Sequence, residues 1–439
     1  MHKLSYSKEW KIKIDKFLEN EITLNELHSQ NKDHLISILS YVKAKSKYYS
    51  KHLNSLQIPK TYQELDIHSI PFTTKDDLRK YGMDICSLNM DEISTYYETT
   101  GTTGTPTPCP RASIDINTSS SFVSKEMKNI YQETFGTTKA LTAIMGPSEL
   151  YAFGDTYGDI CHELEIPFVR LWPESPRVGI QKSFELINKL KVKVLICSPA
   201  IALALARLFS QNSINIKESS VKQIFVLGEL CTDYMLKNIS KIWNANCTHG
   251  LYGSQEIHAL ATGCKEGNLH ISETNYIVEI IPINNDNKNI GELCVTMIVP
   301  GAKPLIRFRT GDIVSINEHT QCKCGRNSRV LKVYGRVDDM ILINGKTYLP
   351  SDIESYILSN LNEVVGYKFD IKNLDTKEDI LIISAITQQK NVDLSVVEAK
   401  LSEVFNTKVN LILTNSLDAQ TETGAYVSWK FARIRDWRV

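Results

Sequence analysis

Between residues 140 and 260, short runs of Val, Ile and Leu alternate with longer amphipathic stretches, at 141–145, 184–190, 192–197, 201–209 and 224–227. A strand that is apolar at consecutive positions needs cover on both faces of its sheet, and helical segments between the runs supply it. This alternation predicts βαβ units around a parallel sheet. Upstream, apolar residues recur at helical spacing from 18 to 53 and turn signals gather at Pro59 and Pro71, which predicts an all-helical start. Beyond Gly267, strand patterns at 276–283, 292–299 and 306–308, with a polar turn at 284–287, predict an antiparallel, barrel-like part.

The segment 330–334 reads as a strand, 335–339 as a polar hinge, 340–343 as a second strand and Asn344-Gly345 as a hairpin turn. From Ser351 onward, helix and strand patterns alternate again, enough for a small α+β domain of about 100 residues. The expected fold class is therefore α/β. A large N-terminal domain, 1–335, holds parallel sheets and a barrel-like part from about 267, and a small C-terminal α+β domain takes 336–439.

With 42% hydrophobic and 23% charged residues, the 439-residue chain has material for a sizeable core and is not a disordered polymer. Fifty basic residues balance fifty acidic ones, so no net field draws in nucleic acid or a membrane surface; small molecules are the expected partners. Ten cysteines are too dilute for a disulfide scaffold, and several, like Cys197, sit in apolar runs. The sequence has neither an apolar run long enough to span a bilayer nor the uninterrupted apolar stretch of a secretion signal near its N-terminus, so a cytoplasmic location is expected.

After the strand-like 94–97 comes Thr99-Thr100-Gly101-Thr102-Thr103-Gly104-Thr105-Pro106-Thr107. Two glycines among hydroxyls can turn several backbone N–H groups toward phosphate oxygens. No Gly-Lys-Ser/Thr follows, which argues against the Walker mechanism. The same composition also suits a solvent-exposed loop. A second constellation, Cys264 and His270 with Cys322 and Cys324, offers four soft or borderline ligands from two loops, as tetrahedral zinc requires. Cys247, His249, His258 and His319 compete for the same role.

Read together, these stretches resemble the adenylate-forming (ANL) superfamily, and within it the phenylacetate-CoA ligase-like branch. The resemblance covers most of the chain. It begins at 37–53 and at Ile70-Pro71-Phe72-Thr73-Thr74-Lys75-Asp76-Asp77-Leu78-Arg79 and runs on through the Thr/Gly loop. The string Pro304-Leu305-Ile306-Arg307-Phe308-Arg309-Thr310-Gly311-Asp312 is similar to the branch signature Pro-Leu-Ile-Arg-Tyr-Arg-Thr-Gly-Asp. Gly250-Leu251-Tyr252-Gly253-Ser254-Gln255-Glu256 resembles the Tyr-Gly-x-Thr/Ser-Glu motif, with Gln255 where a small hydroxyl residue is usual. Gly335-Arg336-Val337-Asp338-Asp339-Met340 resembles the superfamily hinge. The terminal Trp429-Lys430-Phe431-Ala432-Arg433 is similar to Gly-Lys-Ala-x-Arg, with Trp429 and Phe431 in place of Gly and Ala.

The resemblance implies ATP and Mg²⁺ as cofactors and an acyl-AMP intermediate. It implies Lys430 and Glu256 as catalytic residues, Glu256 also holding magnesium. Thr99 to Gly104, Gly228, Glu229, Tyr252, Gly253, Asp312 and Arg336 would contact the nucleotide, with the Tyr252 ring by adenine and Asp312 accepting from the ribose hydroxyls. Asp338 would be the pivot of a mobile C-terminal lid. Tyr151, Phe153, Gly154 and Asp155 fall where relatives line the acyl pocket, and Asp155 or Glu149 would pair with an ammonium or hydroxyl of the acid. Some relatives carry a Cys-x-Cys-Gly-Arg segment at a structural metal, as at Cys322 and Cys324. The implied activity joins a small aryl or amino carboxylic acid to a thiol, most directly that of CoA. The alternatives are a stand-alone enzyme loading a carrier protein's phosphopantetheine and a nucleotide-binding regulator without turnover.

Overall fold

The helical start forms where caps and apolar spacing agree. The computed structural model describes residues 2–99, 105–283, 289–318, 322–373, 378–418 and 429–438, with backbone alone at 2–7, 429 and 431. Helices α1 (His2–Leu18), α2 (Leu24–Lys45) and α3 (Lys47–His52) open the chain. At the start of α2 the Thr23 amide donates to the Glu26 carboxylate at 2.8 Å, and the Glu26 amide donates to the Thr23 hydroxyl at 3.3 Å. This reciprocal box satisfies two first-turn donors. Thr74 and Asp77 repeat it ahead of α4 (Lys75–Tyr81), and α5 (Ser113–Phe135) follows.

The βαβ alternation comes next. It comprises β1 (Thr142–Ile144), α6 (Ala152–Glu163), β2 (Phe168–Arg170), α7 (Gly179–Lys189), β3 (Val194–Cys197), α8 (Pro199–Gln211), β4 (Gln223–Val226), α9 (Asp233–Trp243) and β5 (Asn246–His249). Its strands pair in parallel in the order β2-β1-β3-β4-β5. Every residue of β3 and β4 is buried, which is why their sequence is apolar without alternation. It is the only all-parallel sheet among the described residues.

A seven-stranded sheet follows, made of β6 (Leu251–Ser254), β7 (His258–Gly263), β8 (Leu269–Ile271), β9 (Tyr276–Pro282), β10 (Ile290–Met297), β11 (Phe308–Asn317) and β12 (Val330–Arg336). Its order is β6-β7-β8-β12-β11-β10-β9, and it begins upstream of Gly267, at Leu251. Then β13 (Ile341–Ile343) and β14 (Lys346–Tyr348) form a hairpin whose turn residues Asn344 and Gly345 have φ of 45° and 77°. Positive φ at both central positions is what a two-residue turn between twisted strands demands. The chain ends with α10 (Pro350–Asn360), β15 (Val364–Asn373), β16 (Asp379–Thr387), α11 (Leu394–Phe405), β17 (Val409–Leu413), α12 (Trp429–Arg433) and β18 (Ile434–Asp436), the four strands in the order β17-β16-β15-β18.

By packing, the chain divides into two units. The first holds 1–138, 147–165 and 251–332; the second holds 139–146, 166–250 and 333–439. Within the second, the C-terminal segment shares one apolar core with the parallel sheet, running from Ala143 and Leu195 through Trp243 to Phe369 and Ile434. A polar seam reinforces it. Asn238 Nδ2 donates to Val364 O at 2.7 Å while Val364 N donates to Asn238 Oδ1 at 2.9 Å, and Lys217 pairs with Glu363 at 2.9 Å. No helix among the described residues is long and apolar enough to cross a membrane.

Phe209 anchors that core, meeting the Phe184 ring edge-on at 5.1 Å and the Trp243 ring at 5.4 Å. Phe209→Ala is expected to destabilise the second unit by about 3–5 kcal/mol, the sum of lost transfer energy and the cavity left behind. Chemical denaturation followed by tryptophan fluorescence reads the shift.

Candidate active site

Residues on the two sides of the Thr/Gly turn run antiparallel. Cys109 N donates to Tyr97 O at 2.7 Å, Arg111 N to Thr95 O at 2.8 Å and Thr99 N to Thr107 O at 3.1 Å. The Thr107 amide also donates to the Thr99 hydroxyl at 3.0 Å, which closes the neck of the turn. Thr100, Gly101, Thr102, Thr103 and Gly104 lie outside the described residues.

Three charged side chains that sequence reading left aside hold this neck in place. Arg111 is buried; its guanidinium lies 5.2 Å over the Tyr97 ring and its Nη2 donates to Gln255 Oε1 at 3.4 Å. Lys303, also buried, donates to the Pro108 carbonyl and meets the Cys109 sulfur at 3.2 Å. Asp115 accepts from the Ala112 and Ala302 amides, each at 2.8 Å, and burial pushes its carboxyl up to about 6, with those amides and Arg111 opposing the rise. Burial raises the Cys109 thiol, Lys303 opposes it and Glu256 adds to it, so the half-buried Glu256 carboxylate stands within electrostatic reach of the loop arm. Only tertiary structure marks Arg111, Asp115 and Lys303, because single charges in a sequence read as solvated.

Among the expected pocket residues, Asp155 is the one that faces the arm: the Tyr97 hydroxyl donates to its Oδ2 at 3.1 Å. Burial, with the Asp155 charge behind it, pushes Tyr97 up to about 12. Gly154 donates its amide to Pro147 O at 2.8 Å, Tyr151 is half-buried, and Phe153 is buried with its ring 5.7 Å from Tyr157.

Tyr252 and Asp312, sixty residues apart, meet directly. The Tyr252 hydroxyl donates to Asp312 Oδ2 at 2.6 Å, a short bond to an ionisable acceptor. The neighbouring arginines are tied up in the same sheet: Arg307 grips Glu279 through Nε at 3.0 Å and Nη2 at 2.9 Å, and Arg309 pairs with Glu292. Between Tyr252 and Gly253 the β6–β7 register slips, and a Cβ at Gly253 would fall 1.7 Å from the His258 carbonyl oxygen. Glycine is therefore required beside the aromatic ring.

The second unit holds the other expected residues. Lys430 Nζ donates to the carbonyls of Asp338 at 3.3 Å and Met340 at 3.5 Å, so the lysine and the hinge meet. Arg336 and Asp338 are exposed. Gly228 has φ of 87°, and Glu229 beside it is half-buried with Oε1 enclosed and lacking a hydrogen-bond partner. Burial pushes the Glu229 carboxyl up to about 7, Arg433 and hydrogen bonds from Ser198 and Ala200 oppose this, and Glu354 adds to it.

The ligand atoms of Cys264, His270, Cys322 and Cys324 all lie within 4.8 Å of one another. Cys264 and Cys322 sulfurs are 3.8 Å apart and Cys324 Sγ is 3.2 Å from His270 Nε2. Zinc with Zn–S bonds of about 2.3 Å sets tetrahedral sulfurs about 3.8 Å apart, so the donor set fits it. His270 Nδ1 lies 3.1 Å from Ser328 O, an acceptor that fixes the proton there and leaves the Nε2 lone pair toward the sulfurs. The competitors fall elsewhere: Cys247 and His249 are on β5, His258 lies beside the charges of Arg111 and Lys303, and His319 is outside the described residues.

No family model matches the chain. A phenylacetate-coenzyme A ligase of Thermus thermophilus is 24% identical over 368 residues, covering 81% of this chain and 80% of its own. One from Pseudomonas putida is 26% identical over 338 residues, 71% of each chain. The protein CapK of Staphylococcus aureus is 23% identical over 420 residues, 93% of this chain and 89% of that one. The chain is a relative of the phenylacetate-CoA ligases. Its fold is that of the adenylate-forming ligases: 2-hydroxyisobutyryl-CoA ligase in its postadenylation state, with 2-HIB-AMP, matches it with a TM-score of 0.76 at 17% identity over 92% of this chain and 88% of that one. The same ligase with 2-HIB-AMP and CoA in the thioesterification state gives 0.62, at 17% identity over 94% and 90%.

In this ligase relative the crowding at Gly253 is open to test. Gly253→Ala is expected to force the bulge open and to cost about 1–3 kcal/mol, the usual range for overpacking. Thermal unfolding that leaves the transition of the first unit unmoved would contradict the close approach.

Proposed function

We propose that the chain activates a small carboxylic acid with ATP as an acyl-adenylate and then transfers the acyl group to the thiol of CoA. The observation that carries this reading is the 2.6 Å bond between Tyr252 and Asp312, which brings two distant motifs to one place. A carboxylate is inert toward a thiol because its leaving group would be oxide. A carboxylate oxygen attacks the α-phosphorus of ATP, the bond to the bridging oxygen breaks and pyrophosphate leaves. Asp312 accepts from the ribose hydroxyls, Tyr252 lies by adenine and Lys430 meets the charge that develops on the phosphates. A magnesium ion held at Glu256 would add positive charge beside those oxygens. The thiol sulfur then attacks the acyl carbon, and AMP departs with the electron pair of the broken C–O bond.

In this reading, 336–439 is a lid that turns about Asp338 between the two steps and withdraws Lys430 for the second. Two facts support it: Lys430 bonds to the backbone carbonyls of the pivot residue and of Met340 two residues on, and two states of one ligase of this fold match the chain unequally. Asp155, reached by the Tyr97 hydroxyl, makes the acyl end polar and favours an aryl or amino acid bearing an ammonium or hydroxyl. ATP and CoA are cytoplasmic metabolites, and we place the protein there. A carrier protein's phosphopantetheine is the alternative acceptor.

ATP–pyrophosphate exchange across aryl, aminoaryl and amino acids tests the first step. Lys430→Ala is expected to slow exchange by about 100-fold or more with the KM for ATP little changed, because the lysine acts on charge present in the transition state. Asp312→Ala is expected to raise the KM for ATP instead. Undiminished exchange in Lys430→Ala sinks this reading.

We further propose a structural zinc at Cys264, His270, Cys322 and Cys324, stapling the turn after β7 to the loop before β12. Four protein ligands leave no open position for chemistry. Metal analysis is expected to find about one zinc per chain, lost in Cys322→Ser together with several degrees of melting temperature. Protein that is free of metal as purified and melts unchanged in the variant contradicts the site.

A further inference from the structure

The parallel sheet of the second unit has two ends, and the expected nucleotide residues Gly228 and Glu229 stand at one of them. They follow the C-terminal end of β4, the end at which open α/β sheets bind their ligands. A separate cleft lies where strands begin. It has a volume of about 410 Å³ and is lined by Lys241, Asn362, Glu363, Gln388, Gln389 and Lys390, all of them in the second unit. Lys241 stands in the last turn of α9, just ahead of β5. Asn362 and Glu363 join α10 to β15, and the other three residues follow β16.

The hydrogen bonds around this cleft engage acceptors and leave donors. Glu363 Oε1 accepts from Lys217 Nζ at 2.9 Å, Asn362 Oδ1 from Lys241 Nζ at 3.1 Å, and Gln389 Oε1 from the Asn362 amide at 3.0 Å. The side-chain NH₂ groups of Asn362 and Gln389 have no hydrogen-bond partner among the described residues, and neither does the Lys390 ammonium. Lys241 uses one of its three N–H bonds. Charge points the same way. Lys217 balances Glu363, so Lys241 and Lys390 leave the cleft positive on a chain whose basic and acidic residues otherwise cancel. Its walls are also tied together, Gln388 N donating to Glu363 O at 3.0 Å and Gln389 N to the Thr387 hydroxyl at 2.9 Å. A cleft built this way is formed before a ligand arrives.

We propose that this cleft is a second ligand site and that it takes a phosphate group, either as the free ion or as the ester of a small molecule. The residues favour phosphate over carboxylate. Among the described lining residues none is arginine, so the planar fork that grips a carboxylate with two bonds is missing. Two ammonium groups act as point charges and suit a compact anion that shares its oxygens between them and the amides. The volume lies in the range of small-molecule sites, with room for an organic body against the lysine stems. Lys241, Asn362 and Lys390 are exposed, so the ligand enters from solvent without a change of fold. It touches α9 and the C-terminal segment at once, and its binding stabilises the second unit.

The test uses the full chain and does not depend on turnover. Glycerol 3-phosphate, inorganic phosphate and citrate are titrated by isothermal calorimetry, with the melting temperature as a second reading. Glycerol 3-phosphate is expected to bind saturably and to raise the melting temperature, its affinity falling as salt rises. In Lys241→Gln combined with Lys390→Gln its dissociation constant is expected to rise about tenfold or more, because both charged partners are lost. Both positions are exposed, so without ligand the double variant is expected to melt like the parent. Tighter binding of glycerol 3-phosphate than of inorganic phosphate assigns the site to an ester, and equal binding assigns it to the free ion; either supports the site. Three results overturn it: neither phosphate binds saturably at millimolar concentration, the double variant binds as the parent does, or citrate binds as tightly as the phosphates.

Discussion

A carboxylate taken out of water must find donors, and three fully buried ones knit this fold together. Asp115 collects the amides of Ala112 and Ala302, and Gly301 lies so near that a Cβ there would fall 1.6 Å from its Oδ1. Glu273 is clasped by Arg329 through Nε at 2.9 Å and Nη2 at 3.0 Å, with His28 at 3.2 Å on Oε2. Glu354 takes the N-cap of α9 and the Tyr367 hydroxyl. Each acid joins segments more than a hundred residues apart, and breaking one partner leaves an enclosed charge unmet, which is more costly than the intact pair is stabilising. The joints are therefore specific. Apolar burial holds the sheets, while these acids decide which loop meets which.

The same rule shapes the candidate site. Its neck is ordinary antiparallel pairing, but what presses on the neck is charge: Arg111 against Tyr97 and Gln255, Lys303 against Pro108 and Cys109. Two buried cations beside a turn rich in hydroxyls and glycine give that end of the first unit a positive interior. Glu256 and Asp155 bound it with negative charge.

Legibility in the sequence followed burial. Strands β3 and β4 are covered on both faces and stood out as apolar runs; β2 and β5, at the sheet's edges, carry Arg170, Asn246 and His249 and did not. The sequence of the long β15 is interrupted by Lys368 and Asp370, yet Asp370 is buried and takes the Trp437 indole N–H at 2.8 Å. In the site, Tyr252 and Asp312 were readable because each stands in a dense motif. Arg111 and Lys303 were not, since nothing local distinguishes a buried cation from a solvated one. For the Cys/His cluster, sequence supplied eight candidates and geometry reduced them to four.

The segment proposed as a hinge lies where β12 leaves the seven-stranded sheet, and its construction limits how the chain could turn there. Gly335 has φ of 122°, and a Cβ at that position would strike the Pro350 ring at 2.5 Å, so the backbone runs tight against the start of α10. Beyond it, residues 337–339 make one short 3₁₀ turn without a side-chain cap, and Asp338 points to solvent. A turn without a cap loses little when its dihedrals change. Lys430 bonds to the carbonyls of Asp338 and Met340, one at the proposed pivot and one two residues beyond it. Met340 belongs to the same segment as Lys430, so a rotation at Asp338 would carry that acceptor along with the ammonium group, and only the bond to the Asp338 carbonyl sits at the pivot itself.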